Sequence, residues 1–286
     1  MANKISIIEV SPRDGLQSES VFIPSEKKIE YIRLLSQAGL REIEITSFVS
    51  PHWVPQMADH EVVVTAFQKD LNHRYSVVVP NQRGYENAYR LGVRRMAFLT
   101  SASDIFCQKN LGCTYLESIR RVTDLLCLSQ QQSLWRRVYI SCSFDCPYEG
   151  VIQQDRVLKL VDLLIQAGAD EICLGDTIGS GTPERTQRLL KSIENRIQLE
   201  RVAVHFHDTH ARALDNISVA LEMGIRRVDA SLNGLGGCPY APGASGNVAT
   251  ESVVRMAEEL GFSTGIDLSR LLEVKQFFSA MLNQGN

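Results

Sequence analysis

The chain has 286 residues, of which 44% are hydrophobic and 22% are charged, with 30 Lys and Arg against 33 Asp and Glu. This balance is typical of a globular protein with a large core, and no basic stripe suggests nucleic-acid binding. Apolar runs such as residues 5–10 are far shorter than the roughly 20 residues of a membrane-spanning helix, so we expect neither a nucleic-acid nor a membrane partner.

The start of the chain and its cysteines suggest a compartment. Met1 is followed at once by a strand-like segment, which leaves no room for a signal or transit sequence, so we expect a cytoplasmic protein. Seven cysteines at irregular spacing fit reduced thiols there. Cys142 and Cys146 could form half of a metal site, but no second pair at zinc-finger spacing accompanies them, and a structural role is favoured.

Short β-rich segments alternate with longer amphipathic ones along the whole chain, which indicates βα units around a parallel sheet. Helical patterns at residues 25–38 and 153–167 end at Gly39 and Gly168, the expected C-cap residues. No linker divides the chain, so we predict one domain, residues 1–286, built as a TIM (β/α)₈ barrel with a C-terminal helical extension from about residue 267. The predicted strands are residues 5–10, 42–46, 75–79, 95–99, 137–142, 171–174, 202–206 and 227–230.

Polar residues occur at the points where such a barrel places its catalytic groups. These points lie at the carboxyl ends of the strands, where the loops form one open mouth. The candidates are Arg13 and Asp14 after the first strand, Glu44 on the second, Arg137 and Tyr139 on the fifth, and His205 and His207 on the seventh.

The segment from His205 to His207 suggests a metal site. Side chains two residues apart on a strand share a face, so both imidazoles can reach one ion. For an isolated His-x-His, hydrogen-bonded core histidines are an equally good interpretation. Asp14 adds a carboxylate at the same mouth, and a set of His and oxygen ligands favours Mg²⁺ or Mn²⁺ over structural zinc, which would need more thiolates.

A glycine-rich loop follows the eighth predicted strand. Residues 234–247 contain five glycines, which predicts a mobile or tightly turning segment rather than a helix. Such a loop could close over a substrate and present Cys238 as a reactive thiol. The alternative is a small buried cysteine in a structural loop, but flexibility of this degree favours the functional role.

Several motifs resemble those of the 3-hydroxy-3-methylglutaryl-CoA lyase family, and the resemblance covers nearly the whole chain. The Arg13-Asp14 pair and the His-x-His segment are shared with isopropylmalate and homocitrate synthases, a 4-hydroxy-2-oxovalerate aldolase and carboxyltransferase domains. The glycine-rich cysteine loop is what points to the lyase. The matching motifs are residues 11–17 (SPRDGLQ), 46–51 (TSFVSP), 146–150 (CPYEG), 174–179 (LGDTIG) and 237–240 (GCPY).

The resemblance implies a metal-dependent carbon-carbon lyase that cleaves 3-hydroxy-3-methylglutaryl-CoA (HMG-CoA) to acetyl-CoA and acetoacetate, with Mg²⁺ or Mn²⁺ as cofactor. It also implies three sets of site residues. The metal ligands are Asp14, His205, His207 and Asn247; the catalytic residues are Arg13, Asp14, Glu44, His205 and Cys238; and the substrate-binding residues are Arg13, Gln17, Ser103, Arg137, Tyr139 and Thr177.

The implied reaction is a retro-Claisen cleavage, in which a base removes the proton of the tertiary hydroxyl and the broken bond leaves an enolate. A metal lowers the pKa of that hydroxyl, Arg13 can stabilise the enolate, and Cys238 could protonate it. The base is either Asp14 or His205, since a ligand's pKa depends on the ion it contacts. Arg137 and Tyr139 could hold the free carboxylate of the substrate.

Other substrates and functions stay open at this point. Asp145 and Asn233 replace small residues of the family, and if either faces the pocket, the substrate could be another 3-hydroxy-3-alkylglutaryl-CoA or citramalyl-CoA. A synthase or aldolase acting on a 2-oxo acid is a further alternative. A catalytically silent barrel is disfavoured because all the implied ligands are present.

The last predicted helix suggests self-association. Barrels commonly pair through outer helices, and this helix offers apolar side chains that could form such a surface, so we expect a homodimer. The residues concerned are Leu268, Leu271, Leu272, Phe277 and Phe278.

Overall fold

Eight parallel strands close into a barrel in the computed structural model, which describes residues 3–70, 72–236 and 246–283. Each strand pairs with its sequence neighbours around the barrel, and the last pairs with the first. The predicted TIM barrel is therefore confirmed. The barrel strands are β1 (Ser6–Glu9), β2 (Glu42–Ser47), β3 (Arg74–Val78), β4 (Arg95–Ser101), β5 (Trp135–Ser141), β8 (Glu171–Asp176), β9 (Val202–Phe206) and β10 (Arg227–Ala230).

A short hairpin, β6 (Asp145–Cys146) with β7 (Gly150–Val151), follows β5 outside the barrel. Within the described residues, no helix combines the length and the apolar character needed to cross a membrane. The helices are α1 (Ser25–Gln37), α2 (His60–Phe67), α3 (Gln82–Arg90), α4 (Asp104–Phe106), α5 (Tyr115–Gln130), α6 (Gln154–Gln166), α7 (Pro183–Glu194), α8 (Ala213–Glu222), α9 (Thr250–Glu259) and α10 (Leu268–Asn283).

The helices pack as their apolar spacing predicts. Tyr31, Ile32 and Leu35 lie on one face of α1 and are buried against the barrel. Gly39 and Gly168 follow α1 and α6 with φ angles of 100° and 97°, the left-handed conformation of a helix C-cap. Both cap predictions are therefore confirmed.

The C-terminal helix α10 packs on α1 and α9 rather than presenting its whole apolar face to solvent. Leu271 and Phe278 are buried in the core, and the Phe278 ring lies 5.0 Å from that of Tyr31. Leu272, which is 41% exposed, is left on the outside. The extension is confirmed, but most of the surface that suggested a dimer is used within the chain.

Charged side chains fill the amino end of the barrel. Glu42 accepts hydrogen bonds from Arg227 at 2.8 and 2.6 Å, and Arg95 stacks 3.6 Å over the Trp135 ring. Burial of charges is tolerated only when they are paired, and here each guanidinium meets a carboxylate or an aromatic face. The open mouth therefore lies at the opposite end, where the strands finish.

Candidate active site

The loop after β1 brings Arg13 and Asp14 together on one wide helical turn, Ser11–Gly15. The backbone N–H groups of Arg13, Asp14 and Gly15 all donate to the carbonyl oxygen of Val10, at 3.1, 2.7 and 3.3 Å. Three donors on one acceptor fix the turn tightly to the end of β1. The turn thus holds the two charged side chains in place at the barrel mouth.

Asp14, His205 and His207 form the group of side chains that could share a metal ion within the described residues. One potential ligand atom from each lies within 4.8 Å of the others. The two imidazoles follow each other on one face at the end of β9, as the two-residue period of a strand predicts. The predicted grouping of one carboxylate and two imidazoles is therefore present.

His207 is in the form that a metal requires. Burial, reinforced by the neighbouring His205, lowers the pKa of His207 to about 4, so its imidazole is neutral at physiological pH. Its Nδ1 atom is buried and has no hydrogen-bond partner among the described residues. A buried, unpaired ring nitrogen is costly without a partner, and a metal ion beside it would supply one.

Asp14 is held as a carboxylate by its surroundings. Burial alone would raise the pKa of Asp14, but Arg13 and then His205 hold it well below the usual range. Asp14 also accepts a hydrogen bond from Gln17 at 3.1 Å. This predicted substrate-binding residue thus lies at the edge of the cluster, where it orients the carboxylate.

Asn247 joins the same cluster from the far side of the glycine-rich loop. Its Nδ2 donates to Asp14 Oδ2 at 2.7 Å and to the Leu235 carbonyl at 2.9 Å, and its backbone forms a bridge with His207. Gly236 passes close by with a φ of 97°. A Cβ at Gly236 would lie 2.6 Å from Asn247 Nδ2 and 3.1 Å from the Asp14 carbonyl oxygen, so only glycine fits there.

Replacing Gly236 by Ala is therefore expected to displace Asn247 and weaken Mn²⁺ binding at least about tenfold, the usual cost of disturbing residues around a metal. Binding is measured by electron paramagnetic resonance of free Mn²⁺. Gly112→Ala is the matched control, since Gly112 also has a positive φ, 62°, but nothing lies within 4 Å of its added Cβ. Equal Mn²⁺ affinity in Gly236→Ala and Gly112→Ala would contradict the role of the close approach between Gly236 and Asn247.

Arg13 is supported from below by Glu44. Its Nε donates to Glu44 Oε1 at 2.6 Å, and Glu44 is fully buried on β2. Burial lowers the pKa of Arg13, but Glu44 and Asp14 outweigh this effect and raise it, so the guanidinium stays charged. The Tyr139 hydroxyl lies 3.2 Å from the other Glu44 oxygen, within hydrogen-bonding distance. The structure thus brings these three predicted residues into one hydrogen-bonded chain.

Arg137 lies deeper in the barrel than the sequence suggested. Its guanidinium donates to Asp229 at 2.6 Å and forms an ion pair with Glu171, whose Oε1 lies 3.0 Å from Nε. The side chain is 1% exposed. Because two carboxylates already pair with Arg137, the expectation that it holds a carboxylate of the substrate is not supported.

Asp229 is a site residue that the sequence reasoning missed. It lies on β10, fully buried, and its Oδ2 is 3.2 Å from His205 Nδ1 and 2.9 Å from the Tyr139 hydroxyl. Arg137 and the neighbouring His205 overcome the effect of burial and lower the pKa of Asp229 to about 2. A signal was present: an acidic residue stands two positions after Arg227 on an otherwise buried strand, the spacing of a shared inward face.

Ser103 and Thr177 make their hydrogen bonds outside the cluster. Ser103 caps α4 by accepting from Phe106 N–H, and it donates to Cys146 Sγ at 3.0 Å. Thr177 accepts from the Cys142 N–H at 2.8 Å. Their predicted contact with substrate stays a proposal.

Burial raises the pKa of Cys142 to about 12, which is typical of an inert structural thiol.

The two departures from the family pattern, Asp145 and Asn233, are not among the residues of the metal cluster. Asp145 accepts two hydrogen bonds from Arg185, at 2.7 and 2.9 Å, and this pair ties the β6–β7 hairpin to α7. Asn233 is exposed, with a left-handed φ of 58° that Asn tolerates well. Neither side chain provides a reason to expect an altered acyl group.

Asp176, at the end of β8, is expected to make the stability of the protein depend on pH. Burial raises its pKa to about 6, although the N–H groups of Ser180 and Gly181 partly offset the effect. The folded state then holds the proton more tightly than the unfolded state. The contribution of Asp176 to the free energy of unfolding therefore falls as the pH rises from about 4 to about 6. Relative to Asp176→Asn, the wild type should lose on the order of 2 kcal/mol of unfolding free energy across that window. Urea titrations at several pH values test this, and parallel profiles would contradict it.

A (β/α)₈ barrel with a carboxylate and two histidines gathered at the carboxyl ends of its strands defines a barrel enzyme with a candidate metal centre. The HMGL-like family model matches residues 4–278, and the chain belongs to this family. The predicted catalytic thiol, Cys238, lies outside the residues that the structure describes.

Similar proteins agree with that assignment. The chain is 44% identical over 284 residues to the mitochondrial hydroxymethylglutaryl-CoA lyase of Rattus norvegicus, covering 99% of this chain and 87% of the relative. It is 45% identical over 280 residues to the cytoplasmic 3-hydroxy-3-methylglutaryl-CoA lyase of the same species, covering 98% and 82%. The crystal structure of the HMG-CoA lyase from Brucella melitensis matches with a TM-score of 0.94 at 44% identity, covering 99% of this chain and 100% of that one.

Proposed function

We propose that this protein is a metal-dependent carbon-carbon lyase that cleaves HMG-CoA to acetyl-CoA and acetoacetate. The observation that carries the proposal is the grouping of Asp14, His205 and His207 within 4.8 Å in a chain 44% identical to hydroxymethylglutaryl-CoA lyases over nearly its whole length. The whole chain, residues 1–286, is proposed to act as one catalytic domain.

Asp14, His205 and His207 would hold the metal ion, with Asn247 as a fourth ligand through its amide oxygen. One carboxylate, two imidazoles and an amide, without a thiolate, suit Mg²⁺ or Mn²⁺. When bound, such an ion polarises the substrate hydroxyl and lowers its pKa. The unpaired His207 Nδ1 supports this assignment, because it is buried with no other partner in the described residues.

Arg13 is proposed to stabilise the enolate that forms when the carbon-carbon bond breaks. Its charge is maintained by Glu44 and Asp14, and Glu44 and the Tyr139 ring hold its guanidinium in place before the reaction starts. Preorganised charge of this kind contributes more than mobile charge because it does not have to reorient. Asp14 is proposed to accept the hydroxyl proton, because Nδ1 of His205 faces the Asp229 carboxylate and its other ring nitrogen would bind the metal.

Cys238 is proposed as the acid that protonates the enolate carbon. Cys238 follows Gly236 by two positions in the sequence, in the glycine-rich loop that carries the resemblance to the lyase family. Gln17, Ser103, Tyr139 and Thr177 are kept as proposed substrate-binding residues. Arg137 is assigned a supporting role, since it pairs with Asp229 and Glu171.

Location and oligomeric state stay predictions. The two rat relatives carry mitochondrial and cytoplasmic in their names, so the cytoplasmic location is proposed from the sequence alone. A homodimer is kept as a proposal, although two of the α10 residues that suggested it, Leu271 and Phe278, are buried. Light scattering that finds only monomers would refute the dimer.

The activity is tested by product identification. Purified protein with Mg²⁺ is given HMG-CoA, a homologue with a longer 3-alkyl group, citramalyl-CoA, or acetyl-CoA with a 2-oxo acid. We expect acetoacetate and acetyl-CoA in equal amounts from HMG-CoA, and no product after chelation with EDTA. Faster turnover of another thioester, or condensation with a 2-oxo acid, would replace this proposal with one of the alternatives.

A further inference from the structure

Asp229 occupies the position between the candidate metal ligands and the charged interior of the barrel. Its Oδ1 accepts from Arg137 Nη2 at 2.6 Å. Its Oδ2 faces both the Tyr139 hydroxyl, at 2.9 Å, and His205 Nδ1, at 3.2 Å. Asp229 is fully buried, so no solvent molecule replaces these partners. The carboxylate thus links Arg137 at the centre of the barrel to His205 at its mouth.

We propose that Asp229 is a positioning residue that keeps the proton of His205 on Nδ1 and so leaves the lone pair of Nε2 free for the metal. The inference rests on the metal-dependent function proposed above. It assigns Asp229 no contact with substrate or ion, because it acts through His205 alone.

The hydrogen-bonding capacities of the groups enforce this tautomer. A carboxylate only accepts, so a neutral imidazole beside Oδ2 must carry its proton on Nδ1. Arg137 only donates, and it holds the other oxygen in place. Histidines that bind metals are commonly fixed in this way, through a carboxylate on the nitrogen that faces away from the ion.

A simpler role would be to neutralise Arg137, and the structure separates the two roles. Glu171 also pairs with Arg137, with Oε1 3.0 Å from Nε, and it is equally buried. Glu171 forms ion pairs with Arg137 and Arg227 rather than with His205. Glu171→Gln therefore removes a buried charge beside Arg137 without touching the imidazole, which makes it the matched control for Asp229→Asn.

Asp229→Asn is expected to reverse the tautomer. Since Arg137 can only donate, it should hold the amide oxygen at the Oδ1 position, and the amide NH₂ then takes the Oδ2 position. There it donates to His205 Nδ1, so the ring proton moves to Nε2 and blocks the lone pair. Mn²⁺ binding should weaken by about 10- to 100-fold, the cost of disturbing such a partner.

The experiment has two readouts. The ring nitrogens of His205 are observed by NMR in ¹⁵N-labelled, metal-free protein at alkaline pH, with the signals assigned by their loss in His205→Asn. Mn²⁺ affinity is measured by electron paramagnetic resonance for wild type, Asp229→Asn and Glu171→Gln. We expect Nδ1–H in the wild type and in Glu171→Gln, and Nε2–H with weaker binding in Asp229→Asn.

The outcomes distinguish this inference from the proposed function. Nε2–H in the wild type, or an unchanged tautomer and affinity in Asp229→Asn, would overturn the role of Asp229. If Asp229→Asn fails to fold, the wild-type tautomer alone decides. A wild type that binds no Mn²⁺ would refute the metal-dependent function, whereas the tautomer is measured without metal.

Discussion

Asp14→Asn is expected to lower kcat for HMG-CoA cleavage by about 10³-fold, since metal coordination contributes several kcal/mol of transition-state stabilisation. The amide removes the negative charge from the cluster of Asp14, His205 and His207 and leaves one guanidinium nitrogen of Arg13 without its carboxylate. The measurement is steady-state turnover at saturating Mg²⁺, together with Mn²⁺ affinity. Both should fall.

The control for this variant is Asp145→Asn. Asp145 also pairs with an arginine, but its partner is Arg185, and the pair lies outside the metal cluster. Loss of that pair should change kcat less than about tenfold, as for an ordinary partly exposed ion pair. If Asp14→Asn keeps wild-type turnover and affinity, Asp14 is not a metal ligand.

Arg13→Lys is expected to lower kcat by about 10²–10³-fold, the usual loss when one preorganised donor to an oxyanion is removed. Lysine keeps the charge but is a single point donor, so it cannot bridge Glu44 and Asp14 as the guanidinium does. It also leaves the charge of the buried Glu44 carboxylate less fully neutralised. We expect the change mainly in kcat, because the enolate forms only after substrate has bound.

Arg185→Lys provides the matched control. Arg185 makes a two-point contact with Asp145, so this substitution removes the same kind of geometry at a position away from the cluster. It should affect stability rather than turnover. Turnover of Arg13→Lys close to that of Arg185→Lys would mean that the geometry of Arg13 does not contribute to the chemistry.

The fold and the metal cluster were predictable from the sequence because both depend on short-range regularities. Alternating β-rich and amphipathic segments gave all eight barrel strands, with ends that differ from the observed ones by at most two residues. The two-residue period of β9 puts His205 and His207 on one face, and barrel closure places β1 beside β10, next to β9. Asp14 is brought to both histidines by that closure.

The depth of each side chain in the barrel was not predictable, because it depends on the register between strands. Arg137 pairs in register with Glu171, the first residue of β8, and so lies among the charges of the interior. The register between β9 and β10 likewise brings Asp229 level with His205. The sequence of one strand shows on which face of the sheet each side chain lies. It does not show which residues lie beside it on the neighbouring strands. The burial of apolar side chains of α10 was not predictable for a similar reason, because packing against α1 and α9 determines which of them are covered.

The most direct test of a metal-dependent lyase is the anomalous diffraction of Mn²⁺ in crystals of the protein grown with MnCl₂. We predict one strong peak between Asp14, His205 and His207, with Asn247 at its edge. Crystals that contain Mn²⁺ elsewhere, with these side chains turned away from one another, would contradict the account.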